Sequence, residues 1–140
     1  MVVTDSRELE NAKNMDKSEF ENLVGEAIDE LPQNIRDKMD NVAIVVEDLP
    51  TSSQLRRGRT PAGHILFGLY EGVPRTKRGP GYTMVLPDKI TIFQKSIEAA
   101  ARTPAAIKTQ VRETVWHEIA HHFGFDERAV RTLSQKRRGL

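Results

Sequence analysis

The stretch Thr103-Pro-Ala-Ala-Ile-Lys-Thr-Gln-Val-Arg-Glu-Thr-Val-Trp-His-Glu-Ile-Ala-His-His-Phe-Gly124 decides how this chain is read. Thr103 carries a hydroxyl of the kind that caps a helix, and Pro104 suits the first helical position. Gly124 suits the residue just past the C-terminal cap, where a left-handed backbone is needed. The residues between them predict a helix of roughly 30 Å at about 1.5 Å per residue. Val111, Val115, Ile119 and His122 fall on one side of that helix, extended by Trp116 and Phe123, which predicts a core-facing stripe. His117 and His121, one turn apart, fall together on the opposite side. Glu118 projects about a quarter turn from His117, close to the imidazole pair.

His117-Glu118-Ile119-Ala120-His121 is the H-E-x-x-H pattern. Two imidazoles one turn apart can both reach a single zinc ion at about 2.0–2.1 Å. Glu118 is then kept off the metal but within reach of a water that the ion has polarised. It is placed to accept that water's proton and pass it to the leaving amine of a cleaved peptide. Tyr82 and the arginines of the Glu71–Gly81 segment are candidates to assist at the oxyanion. The phase of His122 sends it to the apolar face, as a core histidine or one packed behind the pair. His64 opens a predicted strand and reads as structural or surface, and Trp116 and Phe123 read as core.

Composition sets the limits of that chemistry. The chain has 140 residues, enough for one domain with a real core, and no cysteine. A disulfide framework, a thiol nucleophile and a thiolate zinc site are therefore excluded, so a metal must be held by histidine and carboxylate. Net charge is +1, but residues 1–50 hold thirteen Asp/Glu against five Lys/Arg (−8) and residues 51–140 hold seven against sixteen (+9). The basic second half admits an acidic partner or nucleic acid, while a solvated dipolar surface is the simpler reading. The basic groups at 56–59 and 75–78 lack interleaved aromatics for base stacking, which disfavours nucleic acid. Met1–Lys13 has no apolar run of the signal-peptide kind, and Ile65–Tyr70 is far short of a bilayer span. The expected compartment is the cytoplasm, with no membrane partner.

Along the chain, residues 1–16 read as a polar lead-in, 17–135 as one domain and 136–140 as a basic tail. Ser18–Leu31 predicts an amphipathic helix with Ser18 as cap and Glu21 as its capping-box partner, ended by Pro32. Ile35–Met39 predicts one further turn. Val42–Glu47 predicts a well-buried strand, His64–Tyr70 a second and Lys89–Phe93 a third. Thr51–Gly63 and the glycine- and proline-rich Glu71–Gly81 predict loops, the latter long enough to suggest a task. A short helix is expected over Ser96–Ala101, and a last one from Asp126 or Glu127 to about Ser134. The fold class is α+β, with helices packed on a small mixed sheet of about three strands.

Beyond the helix, His117-Glu-x-x-His121-x-x-Gly124-x-x-Glu127 resembles the elongated motif of metzincins, in which a residue three places past the glycine supplies a third ligand. That place holds Glu127 here, with Asp126 beside it as the alternative. Val115–Gly124, Gly68–Thr76 and Leu86–Ile92 together are similar to the small bacterial zincin-like metallopeptidase family, over roughly residues 20–135. The resemblance implies a minimal zincin: a short mixed sheet, an active-site helix, and zinc held by two histidines and an acidic residue. The family usually has Asp at the third-ligand place, so Glu127 is a departure. Met84 is the last methionine, so no methionine follows the motif as it does in true metzincins.

The expected function is therefore a zinc-dependent peptidase acting on a peptide or protein substrate, with Glu118 as general base and acid, and His117, His121 and Glu127 as metal ligands. A metal-dependent endoribonuclease is a second reading, since one bacterial family that matures ribosomal RNA also uses His-x-x-x-His and a third ligand. Glycine follows the first histidine there, whereas Glu118 does here. A third reading is a zinc-binding interaction module with vestigial peptidase activity.

Overall fold

Residues 15–39, 41–72 and 88–124 are described by the structure, a computed structural model. Asp16, not Ser18, caps the first helix, α1 (Lys17–Asp29): its Oδ1 accepts the Glu19 N–H at 2.8 Å. A carboxylate at this place also complements the positive end of the helix dipole, which a serine does not. Phe20, Val24 and Ala27 form the buried face of α1, with Leu31 just beyond it. α2 (Gln33–Asp37) is the expected extra turn, set two residues earlier, directly after Pro32.

Strands β1 (Val42–Glu47), β2 (Gly68–Glu71) and β3 (Asp88–Phe93) form one mixed sheet in the order β1-β3-β2. β1 runs parallel to β3, with Val42 opposite Asp88, and β2 runs antiparallel to it, with Gly68 opposite Ile92. The central place of β3 explains why Ile90, Thr91, Ile92 and Phe93 are all 0% exposed. β1 corrects an expectation. Its continuous apolar run predicts burial on both faces, yet of its residues Val46 alone is buried, because β1 is an edge strand. β2 is shorter than predicted, since His64–Phe67 lie outside the ladder.

A second correction concerns Thr51–Gly63, which is not all loop. Ser52–Arg57 forms a helix, α3, behind a complete capping box. Gln54 N–H donates to Thr51 Oγ1 at 3.1 Å and Thr51 N–H donates to Gln54 Oε1 at 2.9 Å. α4 (Gln94–Ala100) follows β3 without a break, starting earlier than Ser96.

α5 (Pro104–His122) has the ends its sequence predicts. Thr103 Oγ1 accepts the Ala106 N–H at 3.1 Å, and Gly124, at φ +92°, donates its N–H to His121 O at 2.9 Å. Ile107, Val111, Val115 and Ile119, each at most 1% exposed, form a straight stripe that packs against α1, β2 and β3. Each such side chain stabilises the fold by about 1.5–3 kcal/mol. The solvent-facing pairs Arg112–Glu30 at 2.7 Å and Lys108–Glu26 at 3.8 Å add little to that. Among the described residues no helix is long and apolar enough to cross a membrane. The expected final helix, the basic tail and all but the first two residues of Glu71–Gly81 lie outside the described residues.

Candidate metal and catalytic site

The last two turns of α5 bring His117, Glu118 and His121 to the wall of an open cleft of about 710 Å³, whose other wall comes from β2 and the segment between α3 and β2. His117 Nε2 and His121 Nε2 stand 3.3 Å apart, with ring centroids at 5.0 Å and planes inclined by 65°. A tetrahedral ion about 2.0–2.1 Å from each nitrogen would separate them by about 3.3–3.4 Å. The two imidazoles therefore already converge at the spacing that a shared zinc ion requires. A ring-to-ring N–H···N hydrogen bond suits the same distance.

Glu118 differs from a surface glutamate. It is 7% exposed, and its Oε1 accepts the backbone N–H of Tyr70 at 2.9 Å. β2 pairs with β3 along its other side, so this outward-facing amide of the edge strand is available to the carboxylate. Oε2, the second oxygen, lies 3.9 Å from His117 Nε2. A hydrogen bond to the main chain thus orients the carboxylate beside the imidazole pair.

Close approach of α5 to β2 depends on Gly68. A Cβ there would lie 2.6 Å from Thr114 Cγ2 and 3.2 Å from Glu118 Cγ, inside normal contact. Glycine is what lets the helix sit near enough for Glu118 to reach the strand edge.

Behind the pair, His122 is 0% exposed, on the apolar side its phase predicts. Its Nδ1 lies 2.9 Å from Asp88 Oδ2, and the same oxygen accepts the Tyr70 hydroxyl at 2.7 Å. Tyr70 therefore touches the site twice, through its amide to Glu118 and through its phenol to Asp88. Neither Tyr70 nor Asp88 is singled out by sequence reasoning. Trp116 and Phe123 pack, partly buried, against the core as expected. His64 is exposed and lines the cleft.

Among the described residues no group of three or more His, Cys, Asp or Glu side chains is gathered for a metal. His117 and His121 are the two donors brought together. Glu127, Asp126 and Tyr82 lie outside the described residues, as do Arg75–Arg78.

A family model described as zincin-like metallopeptidase matches residues 39–137, which takes in the sheet, the cleft and the whole of α5. The chain belongs to that family. A solved structure, a conserved hypothetical protein from Thermo thermophilus, is similar with 21% identity and a TM-score of 0.52. The match covers 85% of this chain and 97% of that one, and at this identity it is a likeness of fold. No curated protein matches the chain. Membership accounts for the motif and for the small mixed sheet beside one long helix, and it implies zinc.

Proposed function

We propose that this zincin-like chain is a zinc-dependent peptidase in which His117 and His121, with Glu127 as third ligand, hold the metal and Glu118 moves the proton. The observation that carries the proposal is the 3.3 Å convergence of His117 Nε2 and His121 Nε2 with the buried carboxylate of Glu118 beside them. When bound, zinc supplies Lewis acidity, which lowers the pKa of a water toward neutrality and offsets negative charge developing on the carbonyl oxygen.

The chain's own residues do the rest. Glu118, tethered at Oε1 by Tyr70 N–H, takes the proton of the attacking water at Oε2. It then delivers that proton to the amine released from the peptide, so one carboxylate serves as base and then as acid. The tether restricts rotation of the carboxylate and keeps Oε2 on the His117 side. The cleft beside it has the size of a ligand site and opens along β2, which suits an extended peptide.

Glu118→Gln tests the assignment. It keeps the shape of the side chain and removes its capacity to carry the proton. Peptide cleavage that falls by at least about a hundredfold, with zinc content unchanged, supports the role. Undiminished cleavage overturns it. Incubation with structured RNA, with and without chelator, separates the endoribonuclease reading in the same preparation.

A further inference from the structure

The cleft wall opposite the histidines holds an arginine in a conformation that arginine does not favour. α3 ends in a Schellman arrangement: Thr60 N–H donates to Leu55 O and Arg59 N–H to Arg56 O, both at 3.1 Å. The motif requires a left-handed residue at the position Arg59 occupies, and its φ is +52°. Glycine is the residue of choice there, because a Cβ is strained in that region. A glycine is present one place too early: Gly58 sits at φ −77°, which any residue adopts. Gly58 answers a different need, since a Cβ there would press on the Leu66 methyls at 3.2 Å. Asn41 shares the φ of +52°, but asparagine tolerates this region. Arg59 therefore holds its place against local backbone preference, and strain of this kind gathers at functional sites.

The charge around it has a direction. Arg57 lines the same cleft, but its guanidinium is engaged by Glu71. Arg59 is exposed and has no carboxylate partner among the described residues. Its fork of donors fits a carboxylate in bidentate fashion, whereas Glu118, the acid among the described residues of the cleft, is bound to the strand edge.

Building on the peptidase reading, we infer that Arg59 is a specificity residue that receives an acidic side chain of the substrate, so that the cleft selects peptides carrying Asp or Glu near the cleaved bond. Such a role explains both its position and its presence where glycine would be more comfortable. RNA, the other polyanion, is less well matched, because among the described residues Tyr70 is the one Phe, Tyr or Trp that joins Arg59 and Arg57 in lining the cleft.

The test uses the full chain loaded with zinc: wild type, Arg59→Gly and Arg59→Glu. The substrates are short peptides in which a single Glu, Gln or Lys is walked along the sequence. Wild type is expected to favour one Glu peptide over its Gln counterpart by roughly tenfold in kcat/KM, the size of one charge-assisted hydrogen bond. Arg59→Gly is expected to erase that ratio while its Tm rises by roughly 2 °C, as the left-handed strain is relieved. Arg59→Glu is expected to shift preference to the Lys peptide. Absence of the preference in wild type, its survival in Arg59→Gly, or a Tm that falls in Arg59→Gly overturns the assignment.

Fluorescence anisotropy with the same peptides on Glu118→Gln and on Glu118→Gln/Arg59→Gly separates the two claims. If wild type cleaves no peptide, the peptidase reading fails. A Glu-over-Gln binding preference that vanishes with Arg59 still supports the present inference, and equal binding overturns it. Tighter binding of a short single-stranded RNA than of any Glu peptide overturns it as well.

Discussion

His122 Nδ1 stands 2.9 Å from Asp88 Oδ2, at positions 0% and 2% exposed, so the end of α5 is locked to the first residue of β3 by a buried polar bond. The Tyr70 hydroxyl shares that oxygen, which makes Asp88 the acceptor for two donors. Asp88→Ala leaves both without it and is expected to cost about 3 kcal/mol of stability. Asp88→Asn, which keeps a carbonyl oxygen, is expected to cost about 1 kcal/mol. Urea unfolding reads the difference, and equal midpoints for the two variants would refute it.

Gly68→Ala is expected to wedge β2 from α5 at the level of Glu118. The added methyl meets Thr114 Cγ2 at 2.6 Å, an overlap that costs about 1–3 kcal/mol. Thr114→Ser removes that methyl and keeps the hydroxyl that pairs with Gln110 Nε2 at 3.1 Å. The double variant Gly68→Ala/Thr114→Ser is therefore expected to regain most of the lost stability. A double variant no better than Gly68→Ala alone would show that the overlap is relieved elsewhere.

Zinc at a hundred times its dissociation constant is expected to stabilise the chain by about 2.7 kcal/mol, since the folded state presents the converged imidazoles and the unfolded chain does not. Thermal melts with added zinc and with a chelator check this. His121→Ala is expected to melt at one temperature under both conditions. A response to zinc that survives this substitution would place the ion elsewhere.

Ile107→Ala opens a cavity under the N-terminal half of α5, where the side chain is 0% exposed, and is expected to cost about 3 kcal/mol. Ile107 lies roughly 15 Å along the helix from His117, by the rise of about 1.5 Å per residue. Zinc affinity measured below the melting temperature is therefore expected to stay at the wild-type value. A parallel loss of zinc affinity would mean that core packing along α5 sets the imidazole geometry from a distance.

What the sequence made legible was local. Thr103, Pro104, Gly124 and the four-residue spacing of the apolar stripe specify α5, and with it the side on which His117 and His121 meet. α3 was equally open to inspection, because Thr51 and Gln54 are a capping box, but the arginines that follow disguise it as a polar loop. β1 misleads because a run of β-branched residues looks the same whether the strand is central or at an edge. The partners of the site stay hidden for a different reason. Tyr70 lies 48 residues before Glu118 and Asp88 lies 34 before His122, and only the sheet order brings them together. Arg59 is hidden for a local reason, since a left-handed backbone has no signature in an arginine.

The amide that holds Glu118 belongs to the peptide bond at Tyr70, and every residue type except proline carries one. Alanine at Leu69, Tyr70 or Glu71 would therefore leave this amide in place and report those side chains as dispensable to the carboxylate. Sequence drift at position 70 can discard the phenol and its bond to Asp88 while the tether on Glu118 persists. The orientation of that carboxylate is inherited with the path of the backbone, which insulates it from mutation in a way that no pair of side chains can match.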